Sequence, residues 1–266
     1  MADPGTMVFV HAHPDDEAIF TGGTMVRLAE AGVPVALVVA TGGERGEVPV
    51  GHHLRKADGS GPSPEELGEV RRAESIQAAR VLGIEVVEFL GYTDSGMAGD
   101  TANDDPASFW SAPVTEAADR LASVLDGLDA SAVVGYDPFG VYGHPDHIQV
   151  TRVVQYAAVT AGIETVYGST VDREHLHFVE SHVVEEAVLA GDLGLVRSRI
   201  GVASVEVAAT IDVRGALDAK RAAMSAHASQ IPESAHALQL PSRHFADVYG
   251  WEWYLRSGPE GPIDRL

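Results

Sequence analysis

The chain has 266 residues, 45% of them hydrophobic, enough for one large domain with a sizeable core. Its 39 acidic residues against 18 basic give a formal charge of −21, a surface that repels phosphate backbones and anionic lipid, so neither nucleic acid nor membrane is expected as a partner. The absence of cysteine excludes disulfides, zinc–thiolate sites and cysteine nucleophiles, and fits a cytoplasmic protein.

The opening stretch MADPGTMVFV lacks a basic region and a long apolar run, so no leader peptide is expected. The longest apolar run, VPVALVVA, is too short to span a bilayer. MVFVHA (7–12) reads as a buried strand, and 17–32 as a helix that stops at Gly32. A second buried strand follows over 33–41. Residues 51–64 read as a mobile loop. The run from Ser63 to Ile84 reads as a helix, with Pro64 in its first turn and Gly83 closing it. Strand 85–90, a second mobile loop (96–108), helix 113–127, strand 131–136 and helix 145–161 complete the first part. Beyond 163 the pattern weakens. ETVYGS and EVAATIDV read as strands, REHLHFVESH as a strand with His175 and His177 on one exposed face, and 215–229 and 243–256 as helices. Strands alternating with helices imply an α/β fold, a mostly parallel sheet covered on both faces. In such sheets the working residues sit on loops at the C-terminal ends of the strands.

The first strand runs directly into His11, His13, Asp15, Asp16 and Glu17. Buried charge is costly unless something pairs with it, so these residues either cap a helix or hold a cation. A second loop, YDPFGVYGHPDH (136–147), also follows a strand and repeats His-Pro-Asp. Two such loops at one sheet edge can converge. His13, Asp16 and His147 would then offer two imidazoles and one carboxylate, the donor set of a catalytic zinc site with one position open. Adjacent Asp15 and Asp16 diverge, so one can hold the ion while the other takes a proton from a water that the ion acidifies.

AHPDDE (12–17) with GHPDH (143–147) resembles the signature of the LmbE-like, or PIG-L, family of metal-dependent de-N-acetylases. TGGERGE (41–47), DSGMAG (94–99) and AHASQ (226–230) are similar to the branch acting in mycothiol metabolism. The resemblance implies a single domain over 1–266, with a Rossmann-like core over 1–162 that 163–266 completes with a small C-terminal extension. It implies His13, Asp16 and His147 as ligands of zinc, with ferrous iron as an alternative, and Asp15 as general base. His144 would stabilise the oxyanion or protonate the leaving amine, with Asp146 orienting its ring, and Tyr142 would polarise the acetyl carbonyl. Glu47, Arg71 or Arg72, Asp94 and Met97 would lie near the sugar, and His227 would line the pocket. His52 and His53 read as solvated, and Trp251 and Trp253 as core. Phe139 and Val141 stand where a small or polar residue is expected, and the end YGWEWYLRSGPEGPIDRL departs from the biosynthetic deacetylases.

The expected activity is hydrolysis of the N-acetyl group of an amino sugar, foremost an N-acetylglucosaminyl-inositol. An amidase of a mycothiol-type conjugate and a deacetylase of a glycosylated natural product are the alternatives. A non-catalytic metal-binding protein and a nucleotide-binding module are readings from other classes. The second is disfavoured because the first loop carries acids where G-x-G-x-x-G would cradle phosphate. Whether copies of the chain associate is left open.

Overall fold

The computed structural model describes residues 5–182 and 200–266; residues 1–4, part of the stretch read for a leader, lie outside them. Seven strands form one sheet in the order β3-β2-β1-β4-β5-β7-β6. β1 (Thr6–His11), β2 (Val35–Thr41), β3 (Val86–Tyr92), β4 (Ala130–Tyr136) and β5 (Thr165–Thr170) pair in parallel, as the alternation of strands and helices requires. β7 (Trp251–Ser257) and β6 (Ala209–Asp212) close one edge antiparallel.

Alternation along β1 builds both cores. Val8 and Val10 face the layer of α3 (Val114–Gly127) and α5 (Pro145–Thr160), while Met7 and Phe9 face α1 (Gly22–Glu30), α2 (Pro64–Val81) and α7 (Leu217–Ala226). Full burial of a side chain such as Phe9 contributes roughly 1.5–3 kcal/mol. α2 begins with a capping box: Ser63 Oγ accepts the Glu66 amide at 3.2 Å and Glu66 Oε2 accepts the Ser63 amide at 2.7 Å.

β1 and β4 are neighbours from which the chain winds in opposite directions. A crevice therefore opens between their C-terminal ends, and both His-Pro-Asp loops enter it.

Three expectations are corrected. REHLHFVESH is the helix α6 (Arg173–His182), not a strand, because the Asp172 carboxylate accepts the amides of Glu174 at 2.9 Å and His175 at 3.0 Å. The helix expected over 243–256 is α9 (Ser242–Tyr249) followed by β7, the turn falling at Gly250. The first helix expected over 17–32 opens as a π-helical turn, Glu17–Thr21, before α1. The segments 51–63 and 96–108 are irregular except for a short 3-10 turn, Thr101–Asp104.

The C-terminal strands are riveted to the core by a buried ion pair. Lys220 Nζ lies 2.5 Å from Glu252 Oε1, and the same carboxylate accepts the amides of Gly23 and Thr24 at 2.9 and 2.8 Å. A carboxylate there also offsets the positive end of α1. Trp253 is buried as expected, and Trp251 is half-buried under the Arg214 guanidinium.

Candidate metal centre and active site

His13 precedes Pro14, which disfavours helix at that point, and the chain leaves β1 extended. It then turns through Asp15 at φ +118°, a conformation that side chains rarely adopt. The turn folds Asp16 back, so that its Oδ2 accepts the His13 amide at 2.9 Å. Asp16 stands at the N-cap of the turn that follows, but its side chain makes no capping bond there. From the second loop, His147 enters on the first turns of α5. Gly140 permits this approach: a Cβ there would lie 2.7 Å from His147 Cβ. Asp16 Oδ2 is then 3.3 Å from His13 Nδ1 and 3.3 Å from His147 Nε2. The three side chains are buried, and among the described residues no lysine or arginine pairs with Asp16. Two imidazole nitrogens and one carboxylate oxygen converging in this way fit a divalent cation with an open position.

The electrostatics agree with that fit. Burial works against the charge on Asp16, yet His147 and His13 hold its carboxyl well below the ordinary range. Burial also opposes charge on His13, but Asp94, Asp146 and Asp16 raise it well above 6.5. The surrounding carboxylates thus favour a positive charge at this point of the pocket.

Tyr136, which no motif singled out, braces the centre. Its hydroxyl donates to Asp16 Oδ2 at 2.9 Å, and its ring stacks on His147 at 4.2 Å between centroids. The same hydroxyl accepts the Ala12 amide at 3.1 Å and lies 2.9 Å from His11 Nδ1. Burial lowers His11 to about 4, so its ring is neutral, and because the Tyr136 proton goes to Asp16, Nδ1–H is the donor between them.

Asp15 lies beside the centre. Burial pushes its carboxyl up to about 6, with Arg71 pulling the other way from 3.1 Å. Arg71 also donates to the carbonyls of Gly43 and Pro14, each at 2.6 Å, tying Asp15 to the β2 loop. Arg72 is corrected: it packs on the Phe89 ring at 5.0 Å, away from the centre.

His227 is also corrected. It is fully buried, with Nε2 2.6 Å from Glu17 Oε1. Glu17 Oε2 in turn accepts the Asp15 amide at 3.0 Å, so the pair holds the strained turn from behind. Burial opposes both charges, but each partner favours the other: His227 is raised and Glu17 lowered.

In the second loop, His144 is the N-cap of α5 and its Nδ1 accepts the Asp146 amide at 3.1 Å. Burial and the flanking imidazoles of His13 and His147 hold it neutral. The expectation that the Asp146 carboxylate orients His144 is corrected. That carboxylate bonds His13 Nε2 at 3.2 Å, and it is the Asp146 main-chain amide that bonds the His144 ring. Tyr142 lies 3.3 Å from His147 Nε2, and burial among carboxylates keeps its hydroxyl protonated. Val141, the departure noted above, sits at φ +63° and ψ −55° and is buried. A β-branched residue adopts that conformation only under constraint. Asp137 Oδ1 accepts its amide at 3.0 Å, and its carbonyl accepts the Gly201 amide at 2.7 Å.

Asp94 Oδ1 lies 3.8 Å from His13 Nε2, and Asp94 also lines a neighbouring cavity of about 600 Å³. Glu44, Arg45, Glu47 and Arg55 line that cavity too, so Glu47 and Asp94 share one chamber. Met97, on the same loop as Asp94, is 43% exposed. His53 is exposed and His52 half-buried.

Residues 8–158 match the model of the PIG-L family, described as GlcNAc-PI de-N-acetylase. A relative from Salinispora arenicola (strain CNS-205), "1D-myo-inositol 2-acetamido-2-deoxy-alpha-D-glucopyranoside deacetylase", is 38% identical over 96% of this chain and 86% of its own. Among solved structures, the N,N'-diacetylchitobiose deacetylase from Pyrococcus horikoshii superposes with a TM-score of 0.60 at 22% identity, over 97% of this chain and 86% of that one. A 4-carboxy-2-hydroxymuconate hydratase from Pseudomonas putida KT2440 reaches 0.59 at 21%, over 96% and 97%. The scaffold thus carries more than one reaction, and the chemistry must be argued from the site. The chain belongs to the PIG-L family.

Proposed function

We propose, with membership of the PIG-L family as the premise, that the chain is a zinc-dependent hydrolase that removes the acetyl group from N-acetylglucosaminyl-inositol. The observation that carries the reading is the meeting of His13 Nδ1, Asp16 Oδ2 and His147 Nε2 beside the separate carboxylate of Asp15. The named activity of the Salinispora relative supports the substrate, and the 600 Å³ cavity beside Asp94 offers room for the inositol ring.

His13, Asp16 and His147 would hold a divalent ion, which when bound would supply Lewis acidity for amide hydrolysis. Asp15 takes the proton of the attacking water on its carboxylate, and burial tunes it for the task by raising it to about 6. The Tyr142 hydroxyl stays protonated and donates to the oxygen that gains charge. His144 is neutral with Nδ1 engaged, so its proton sits on Nε2, where it can donate a hydrogen bond to the oxyanion. The proton taken by Asp15 ends on the amine, completing hydrolysis to acetate and free glucosaminide. Asp94 and Glu47 offer carboxylate acceptors to sugar hydroxyls.

The test is acetate release from N-acetylglucosaminyl-inositol with stoichiometric Zn²⁺, with Fe²⁺ in parallel. Chelation should abolish turnover and metal should restore it. The inositide should outperform free N-acetylglucosamine, because remote contacts assist the chemical step. Full activity in a verified metal-free sample would contradict the reading; cleavage of a mycothiol-type conjugate alone would move it to the amidase.

A further inference from the structure

We infer that Ser95 is a positioning residue of the metal centre, acting through Asp146 on His13. The inference rests on the ligand set proposed above. An imidazole binds a metal through one nitrogen only when its remaining proton sits on the other, and a hydrogen-bond acceptor there fixes the choice. For His13 that acceptor is Asp146 Oδ2, 3.2 Å from Nε2, while Nδ1 faces Asp16. Asp94 Oδ1, at 3.8 Å from the same nitrogen, is too far to bond it.

Asp146 is fully buried, and among the described residues no lysine or arginine pairs with it, so its aim depends on what else holds its oxygens. Ser95 holds both. Its amide donates to Oδ2 at 3.0 Å and its hydroxyl donates to Oδ1 in a short contact. The direction of that hydroxyl is imposed, because Ser95 Oγ already accepts the Trp110 amide at 2.8 Å. The Ser95 carbonyl is fixed in turn by Asn103 Nδ2 at 2.6 Å, and the residue is fully buried. His147 has no equivalent: its Nδ1 meets no partner among the described residues. The ligand geometry is therefore set on the His13 side. Ser95 also adjoins Asp94, so one loop serves both the sugar cavity and the metal ligand.

The experiment measures zinc affinity, by competition with a chromophoric chelator, for the wild type, Ser95→Ala, Asp146→Asn and the double variant. Thermal melts of the metal-free proteins accompany it, with ring ¹⁵N shifts of His13. Loss of such an outer partner typically weakens metal binding about 10–100-fold, and Ser95→Ala should fall in that range. The double variant should bind no more weakly than the worse single one, because Ser95 acts through Asp146. The His13 ring should lose its single Nε2–H tautomer in Ser95→Ala, and Ser95→Thr, which keeps the hydroxyl, should bind more tightly than Ser95→Ala. Wild-type affinity in Ser95→Ala, even with a lower melting temperature, would overturn the inference. So would full additivity with Asp146→Asn. A His13→Ala protein that binds zinc like the wild type would instead sink the ligand set, leaving Ser95 no centre to position.

Discussion

His-Pro-Asp occurs twice, at 13–15 and 144–146, and the two copies are put to different uses. In the first, the backbone turns through a positive φ at Asp15, enters a π-helical turn, and leaves His13 aimed at Asp16. In the second, Pro145 is the first residue of α5, His144 is its cap, and Asp146 reaches across to His13. Identical tripeptides thus put His13 against Asp16 and Asp15 against Arg71 in one loop, and in the other a neutral His144 beside an Asp146 carboxylate that reaches His13. The conformation after the proline decides the role, not the residues alone.

Breaking the first copy should have the largest effect. Asp16→Ala should lose both metal and turnover, with activity partly recovered in excess metal; retention of one ion after desalting would contradict it. Asp15→Ala should keep its metal and lose roughly 10²–10⁴-fold in rate, without rescue by added ion. The sign of the pH dependence follows from the raised carboxyl. Asp15 acts only when ionised, so wild-type kcat/KM should fall as pH drops through about 6, and that limb should vanish in Asp15→Ala.

The second copy sharpens the contrast. Tyr142→Phe and His144→Ala should each lower kcat by about 10²–10³ with metal content unchanged, as expected for loss of one oxyanion donor. A change in KM alone would reassign them to substrate binding.

Support behind the first copy is tested by His227→Ala, which leaves Glu17 buried without its cation and should cost about 3–5 kcal/mol in denaturant titrations. The raised His227 contributes stability that is lost as pH rises through its folded value. The lowered Glu17 contributes stability that is lost as pH falls through its own. The difference between wild type and variant should therefore peak between those limits. The smallest effect belongs to Arg72→Ala, which removes only a cation–π contact of about 0.5–1 kcal/mol and should leave turnover intact.

The parallel sheet and the two loops were legible because periodicity and chemistry are local. Tyr136 and Ser95 were not, because their partners Asp16 and Asp146 lie 120 and 51 residues away. Arg71 and Arg72 are indistinguishable as letters; helix phase alone turns one toward Asp15 and the other onto Phe89. The α6 misreading had a readable remedy, since Asp172 is a capping residue placed just before the segment. The β7 misreading came from treating the aromatic run after Gly250 as a continuing helix, although alternating aromatic residues favour a strand.

The account turns on which histidine of the second loop holds the ion. Metal content per chain, measured after desalting for the wild type, His13→Ala, Asp16→Ala, His147→Ala and His144→Ala, tests this directly. One ion should remain in the wild type and in His144→Ala, and be lost from the other three. An ion lost from His144→Ala and kept by His147→Ala would contradict the account.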